Sequence, residues 1–200
     1  MNKNRLEAFS DAVIAIIMTI MVLELKIPHG ADLEAILPLL PVFLSYVLSF
    51  IYLGIYWNNH HHMLQVTRKV NGSILWANMH LLFWLSLIPF TTGWMGENHF
   101  AALPTALYGV VLLCSAIAYS ILQGLIVRHH RGHDNTLATA VGKDLKGKIS
   151  IACYIAAIPV AFLNQWISDG LYVIVAIIWL IPDRRIERSV YADHEAGDET

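Results

Sequence analysis

The sequence predicts an all-α fold, a bundle of six membrane-spanning helices, and three observations carry that prediction. Hydrophobic residues make up 56% of the chain and charged residues 14%, against about 25% charged in ordinary soluble domains. The apolar residues come in long runs and not at amphipathic spacing, so lipid is the solvent they suit. The basic residues fall on one side of the membrane once six spans are drawn. Net charge is only −2 and by itself says little about partners.

The spans follow in order as Phe9–Ile27, Ile36–Trp57, Ile74–Trp94, Ala101–Val127, Ile149–Ile167 and Leu171–Ile181, each set against the roughly 20 apolar residues that cross a bilayer as a helix. The first follows "MNKNR", but Asp11, Glu24 and the lack of a small-residue cleavage site argue for a retained span, not a secretory signal. It stops at Pro28. Pro38 and Pro41 make the start of the second irregular, because proline lacks the N–H a helix needs. The third closes with "TTGW" at Thr91–Trp94, which reads as a helix end. A long polar connection, "RHHRGHDNTLATAVGKDLKGK", separates the fourth from the fifth. The sixth has only 11 strictly apolar residues, so it must begin in an "SDG" turn and run past Pro182 to cross. Residues 1–190 then form one membrane domain, and residues 191–200, the acidic "YADHEAGDET", a disordered tail. There is no internal repeat.

Six spans put both termini on one side. On that side lie Lys3, Arg5, Arg68, Lys69, Arg128, Arg131, Lys143, Lys146, Lys148, Arg184, Arg185 and Arg188, which is 12 of the 13 basic residues and leaves only Lys26 opposite. The positive-inside rule therefore predicts a multi-pass protein of the cell membrane with both termini cytoplasmic. Trp57, Trp94, Tyr108, Trp166 and Tyr172 lie near span ends, as an aromatic belt requires. Cys114 and Cys153 fall inside apolar runs and read as small buried residues, not as a disulfide framework.

The first span carries the unusual chemistry. Ile16, Thr19, Ile20 and Leu23 fall at i, i+3, i+4 and i+7 and share one helix face. Such a face either packs on a neighbouring helix, with Thr19 returning its hydroxyl to the backbone, or lines a pore on a symmetry axis. In a pore, aliphatic rings would close the passage by dewetting and a threonine ring would offer oxygens to a cation. At the cytoplasmic end Arg5, Ser10 and Asp11 need partners, since ionised groups in a membrane are expensive. The topology brings Trp57, Asn58, Asn59, His60, His61, His62, Trp76, Asn78 and His80 to the same end. Helical phase alone does not choose among them.

"RLEAFSD" fits the pattern R-x-x-x-F-S-D at Arg5, Phe9, Ser10 and Asp11. With six spans, Trp57 followed by His60 and His61, and the group Leu85, Pro89 and Phe90, the sequence resembles prokaryotic members of the transmembrane protein 175 family of potassium channels. The resemblance is strongest from Arg5 to Phe90. It implies a homotetramer with four copies of helix 1 around a central pore. It implies that Ile16, Thr19 and Leu23 constrict that pore, with Ile20 as a further layer. It also implies a structural polar network of Arg5, Phe9, Ser10, Asp11, Trp57, His60, His61 and Asn78. The permeant ion would be K+, with monovalent cations, lipid and other copies of the chain as partners, no enzymatic activity, no cofactor and no nucleic acid. The family does not use a T-V-G-Y-G carbonyl filter, and none occurs here.

Two other classes compete. Ten histidines, among them His60–His62 and His129, His130 and His133, suggest a membrane metalloenzyme. Yet the Glu-x-x-His spacing and a neighbouring nucleophile are both missing, so binding at His60, His61 and His62 would be adventitious. A small transporter would show inverted repeats or broken mid-membrane helices, and the two halves do not match.

Overall fold

With no water in the hydrocarbon core, a spanning backbone must satisfy its own N–H and C=O groups, and helices do this within each segment. The computed structural model describes residues 3–65, 67, 69–130 and 144–180. Among the described residues run seven α-helices: α1 (Lys3–Leu23), α2 (Leu40–Gln65), α3 (Gly72–Ser86), α4 (Ile88–Glu97), α5 (Ala102–His130), α6 (Leu145–Val160) and α7 (Gln165–Leu180). Helices α3 and α4 follow one another as a single jointed rod, which gives six rods and an all-α transmembrane bundle. Arg131 to Lys143 and residues 181–200, including the expected acidic tail, lie outside the described residues.

The joint has a chemical cause. Pro89 has no N–H to return to the Leu85 carbonyl one turn back. At the joint the Leu87 N–H bonds the Trp84 carbonyl at 3.2 Å instead. A continuous third span is thus corrected to two helices. Proline also shapes the start of the second span, where two 3-10 turns, Leu33–Ala35 and Leu37–Leu39, precede α2. Asp32 caps the first of these turns, accepting from the Ala35 N–H at 3.1 Å. Elsewhere Asn71 caps α3 at 2.9 Å, and Asp144 caps α6 by accepting from the Gly147 N–H at 2.9 Å.

Several expected limits shift. Helix α1 begins at Lys3, not Phe9, and ends at Leu23; α2 runs on past Trp57 to Gln65, which places His60–His62 on a helix. The fifth span stops at Val160, and "SDG" is no turn: Ser168, Asp169 and Gly170 lie inside α7. Each of α6 and α7 has 16 residues, about 24 Å at 1.5 Å per residue, short of a hydrocarbon core of about 30 Å. The stretches containing α1, α2, α3–α4 and α5 are long and apolar enough to cross.

The core gathers Leu6, Ile14, Leu53, Leu81, Leu85 and Ile88 at almost no exposure. Tyr108 and Tyr172, expected in an interfacial belt, are also fully buried. Their hydroxyls find partners inside the bundle, which removes the need for water. The Tyr108 hydroxyl bonds Ser49 at 3.0 Å, Ser49 bonds Thr92 at 2.6 Å, and the Tyr172 hydroxyl donates to the Thr105 carbonyl at 3.1 Å. Trp57 and Trp166 stay exposed. Cys114 and Cys153 are free and half-buried.

Helix α4 approaches α2 closely through Gly96. A methyl group there would stand 2.5 Å from Ser45 Oγ and 2.6 Å from the Val42 Cα, and backbone cannot yield cheaply. Gly96→Ala is expected to destabilise the fold by about 1–3 kcal/mol, read as a lower melting temperature in detergent. Gly54→Ala meets nothing within 4 Å and should leave it unchanged or slightly raised.

Candidate functional site

Helix α1 packs on α2, α3 and α4 through one side only. Leu6, Ser10, Ile14, Ile17 and Met21, spaced at four and three residues, form its buried face. The opposite face carries Phe9, Ile16, Thr19, Ile20 and Leu23, all exposed, with Leu23 80% accessible. The chain thus sets the four stripe residues side by side and leaves them uncovered by its own helices. Thr19 donates its hydroxyl proton to the Ile16 carbonyl at 2.9 Å. With that proton committed, the oxygen lone pairs are left to accept from, or coordinate, an outside group.

The buried face is held by a chain of hydrogen bonds through three helices. Ser10 Oγ donates to the Leu6 carbonyl at 2.8 Å, so its oxygen is free to accept. Asn78 Nδ2 of α3 donates to Ser10 Oγ at 2.9 Å. The Asn78 Oδ1 then accepts from His60 Nε2 of α2 at 2.7 Å, which assigns the proton of a neutral His60 to Nε2. All three side chains are fully buried. In a low-dielectric interior such a chain is strong when complete and costly when broken.

Beside it, three residues of α1 meet three of α2 in antiparallel order. Trp57 Nε1 donates to Asp11 Oδ1 at 3.1 Å. His61 Nδ1 lies 3.1 Å from Glu7 Oε1, and Lys3 Nζ donates to the Gln65 carbonyl at 2.6 Å. Residues 3, 7 and 11 thus face residues 65, 61 and 57, a spacing of four on both helices. Gln65 Nε2 donates to His61 Nε2 at 2.8 Å, and the Trp57 ring stacks on His61 with centroids 5.9 Å apart.

Other candidates stand apart. Arg5 is exposed and, among the described residues, its side chain makes no hydrogen bond or ion pair of the kind made by Glu7 and Asp11. Asn59 donates to the Ile55 carbonyl of its own helix at 2.8 Å. His80 accepts from Trp84 Nε1 at 2.9 Å, and Trp76 is exposed. Glu7, Lys3 and Gln65 were not singled out in the sequence; the matched spacing of Lys3, Glu7 and Asp11 with Trp57, His61 and Gln65 is the signal that would have found them. Among the described residues no three His, Cys, Asp or Glu side chains gather as a metal site. His60 and His61 bond to different helices, as consecutive helical residues must. His133 lies outside the described residues.

At its far end α1 borders a groove of about 650 Å³ shared with α4 and the start of α2, lined in part by Ile16, Ile20, Val42, Phe90 and Trp94. Lys26, just beyond the helix, pairs with Glu97 at 2.6 Å. The hydrogen bond that Lys26 donates to Glu97, with the carboxylate's charge, holds the Lys26 ammonium pKa above its ordinary value.

The family model for the endosomal/lysosomal potassium channel TMEM175 matches residues 5–89, the stretch that holds both the stripe and the chain of Ser10, Asn78 and His60. A potassium channel from a Chryseobacterium species is 56% identical over 190 residues, covering 95% of this chain and 98% of that one. The chain belongs to the TMEM175 family. A second relative, a potassium channel from Chamaesiphon minutus, is 27% identical and covers 88% of this chain and 93% of its own. The crystal structure of a lysosomal potassium-selective channel TMEM175 homologue from Chamaesiphon minutus superposes with a TM-score of 0.76 at 25% identity, over 90% of this chain and 97% of that one. As a TMEM175-family chain this is a multi-pass membrane protein and not an enzyme, because the family and these relatives are channels.

Asn78→Leu leaves Ser10 without its donor and His60 Nε2 without its acceptor, both buried. It is expected to cost about 2–4 kcal/mol, whereas Ser10→Ala costs about 1 kcal/mol. Chemical unfolding in detergent checks both values. Ser10→Ala and Asn78→Leu should also prove strongly non-additive when combined.

Proposed function

We propose that the protein is a potassium-selective channel: a homotetramer in which four α1 helices surround the axis and K+ passes down the stripe of Ile16, Thr19, Ile20 and Leu23. The observation that carries this reading is the exposure of that stripe on a helix whose other face is locked into the subunit. One subunit cannot enclose a passage with α1 alone, so several copies must present it to a common centre. The potassium-channel names of the relatives support the same ion.

A bare cation in a dry apolar passage costs on the order of tens of kcal/mol. The ion must stay hydrated or meet oxygens where the tube narrows. Ile16, Ile20 and Leu23 supply rings that exclude water and close the path. Thr19 supplies four hydroxyl oxygens whose protons are turned back to the Ile16 carbonyls, leaving lone pairs for a partly dehydrated K+. The clasp of Ser10, Asn78 and His60 and the Glu7, Asp11 ladder hold each α1 at the rotation that keeps the stripe inward. No cofactor enters the mechanism. The charge distribution supports a cell-membrane location with both termini cytoplasmic, residues 1–190 forming the channel domain ahead of the tail 191–200. Neither the metalloenzyme nor the transporter reading is favoured by the family or by the site.

Purified protein in liposomes should release K+ down its gradient, and cross-linking should give a tetramer. Leu23→Trp is expected to cut the flux about tenfold or more by filling the constriction. Thr19→Ala removes an oxygen ligand worth about 1 kcal/mol, so the K+ over Na+ ratio should fall about fivefold. Absence of flux from the wild type, or a ratio untouched by Thr19→Ala, would count against the proposal.

A further inference from the structure

The residue that follows Leu23 at the end of α1 is Glu24, exposed on the single subunit. It borders the α1–α4 groove together with Ile16 and Ile20 and a neighbouring groove with Lys26 and Gly96. The position is electrostatically poor for an acid. A helix C-terminus carries roughly half a negative charge from its unpaired carbonyls, and a carboxylate there is repelled. The obvious remedy is the cation two residues on, yet Lys26 is turned to Glu97 at 2.6 Å. The ion pairs among the described residues are Lys26 with Glu97 and His61 with Glu7. Glu24 belongs to neither, and among the described residues its side chain has no hydrogen-bond partner.

Its surroundings share the sign. The connecting segments at this end, residues 24–39, 97–101 and 161–164, hold Glu24, Asp32, Glu34 and Glu97 against Lys26 alone. Asp32 is engaged as a cap and Glu97 as an ion-pair partner. Glu97 shares the α1–α4 groove with Ile16 and Ile20 but is held by Lys26; Glu24 is the carboxylate that follows the stripe residue Leu23 directly in the chain.

We propose that Glu24 forms an acidic ring at the α1 C-terminal mouth of the pore, one carboxylate from each subunit, which concentrates cations at the entrance and excludes anions. The inference rests on the pore reading given above. Its role differs from that of Thr19. The threonine oxygens choose between cations by contact, whereas the carboxylates act at a distance and set how many cations arrive. Their field reaches about 30 Å at 10 mM salt and about 3 Å at 1 M, so the ring governs conduction in dilute solution and is silent in concentrated solution. Rings of acidic side chains at cation pores act in this way.

Single-channel recording of the full-length protein in planar bilayers tests the ring, in symmetrical KCl at about 10 mM and 1 M. At the lower concentration E24Q is expected to reduce conductance about two- to fivefold and E24K further, while E24D stays near wild type. At 1 M all four should converge, and the K+ over Na+ ratio should not change. An E24Q conductance equal to wild type at 10 mM overturns the ring, as does a deficit of the same size at 1 M, which would be structural and not electrostatic. A conducting wild type with either result removes the ring alone. A wild type that passes no current removes the pore and the ring together.

Discussion

The orientation of helix α1 about its own axis is the constraint on which everything else turns. Its outer face is apolar almost all the way along, and in lipid no hydrophobic force distinguishes one apolar face from another. What distinguishes the faces is hydrogen bonding. Ser10, Asn78 and His60 complete a buried chain from α1 through α3 to α2, and any other rotation of α1 would bring those groups into hydrocarbon unpaired. The ladder of Lys3, Glu7 and Asp11 against Gln65, His61 and Trp57 fixes the same rotation from a second side. It also fixes the axial register, because its rungs repeat every four residues on both helices. A proposed pore needs that certainty, since a rotation of one residue would exchange Thr19 for an aliphatic side chain.

The remaining helices form a rigid backing for α1. Tyrosine and hydroxyl groups are placed where polar tips reach carbonyls or each other: Tyr52 donates to the Tyr172 carbonyl at 2.6 Å, and Tyr154 donates to the Tyr52 hydroxyl at 3.3 Å. Ser49 joins Thr92 to Tyr108 across α4, α2 and α5. These bonds do in lipid what burial of apolar area does in water, supplying the specificity that dispersion alone lacks. The joint at Leu87 serves the same packing by letting α4 approach α2 at Gly96. Exposed Leu23, Ile27 and Phe90 would mark an aggregation hazard in a soluble domain. In a membrane chain such exposed apolar side chains are ordinary, because hydrocarbon can cover them.

Much of this was legible in the residues. Long apolar runs identified six rods, because crossing hydrocarbon demands length and freedom from charge. The i, i+3, i+4, i+7 placement of Ile16, Thr19, Ile20 and Leu23 identified a common face, because helical phase is local. Prolines 38 and 41 announced an irregular start to the second span for the same local reason. The misreadings concern what is not local. Tyr108 and Tyr172 sit near span ends in sequence, but only tertiary packing supplies Ser49 and the Thr105 carbonyl to draw them inside. "SDG" has turn composition, yet it continues α7. Glu7 was given no place in the polar network because its partner is 54 residues away.

The sequence by itself determined the solvent and the number of rods and pointed to the family, since composition and periodicity act through short-range physics. Only the tertiary structure decided which of the clustered asparagines and histidines meet α1. Asn58, Asn59, His60, His61 and His62 are chemically similar and consecutive, so no local rule ranks them. His60 bonds Asn78 and His61 faces Glu7 because successive helical positions point about 100° apart, and the two directions happen to be occupied by α3 and α1.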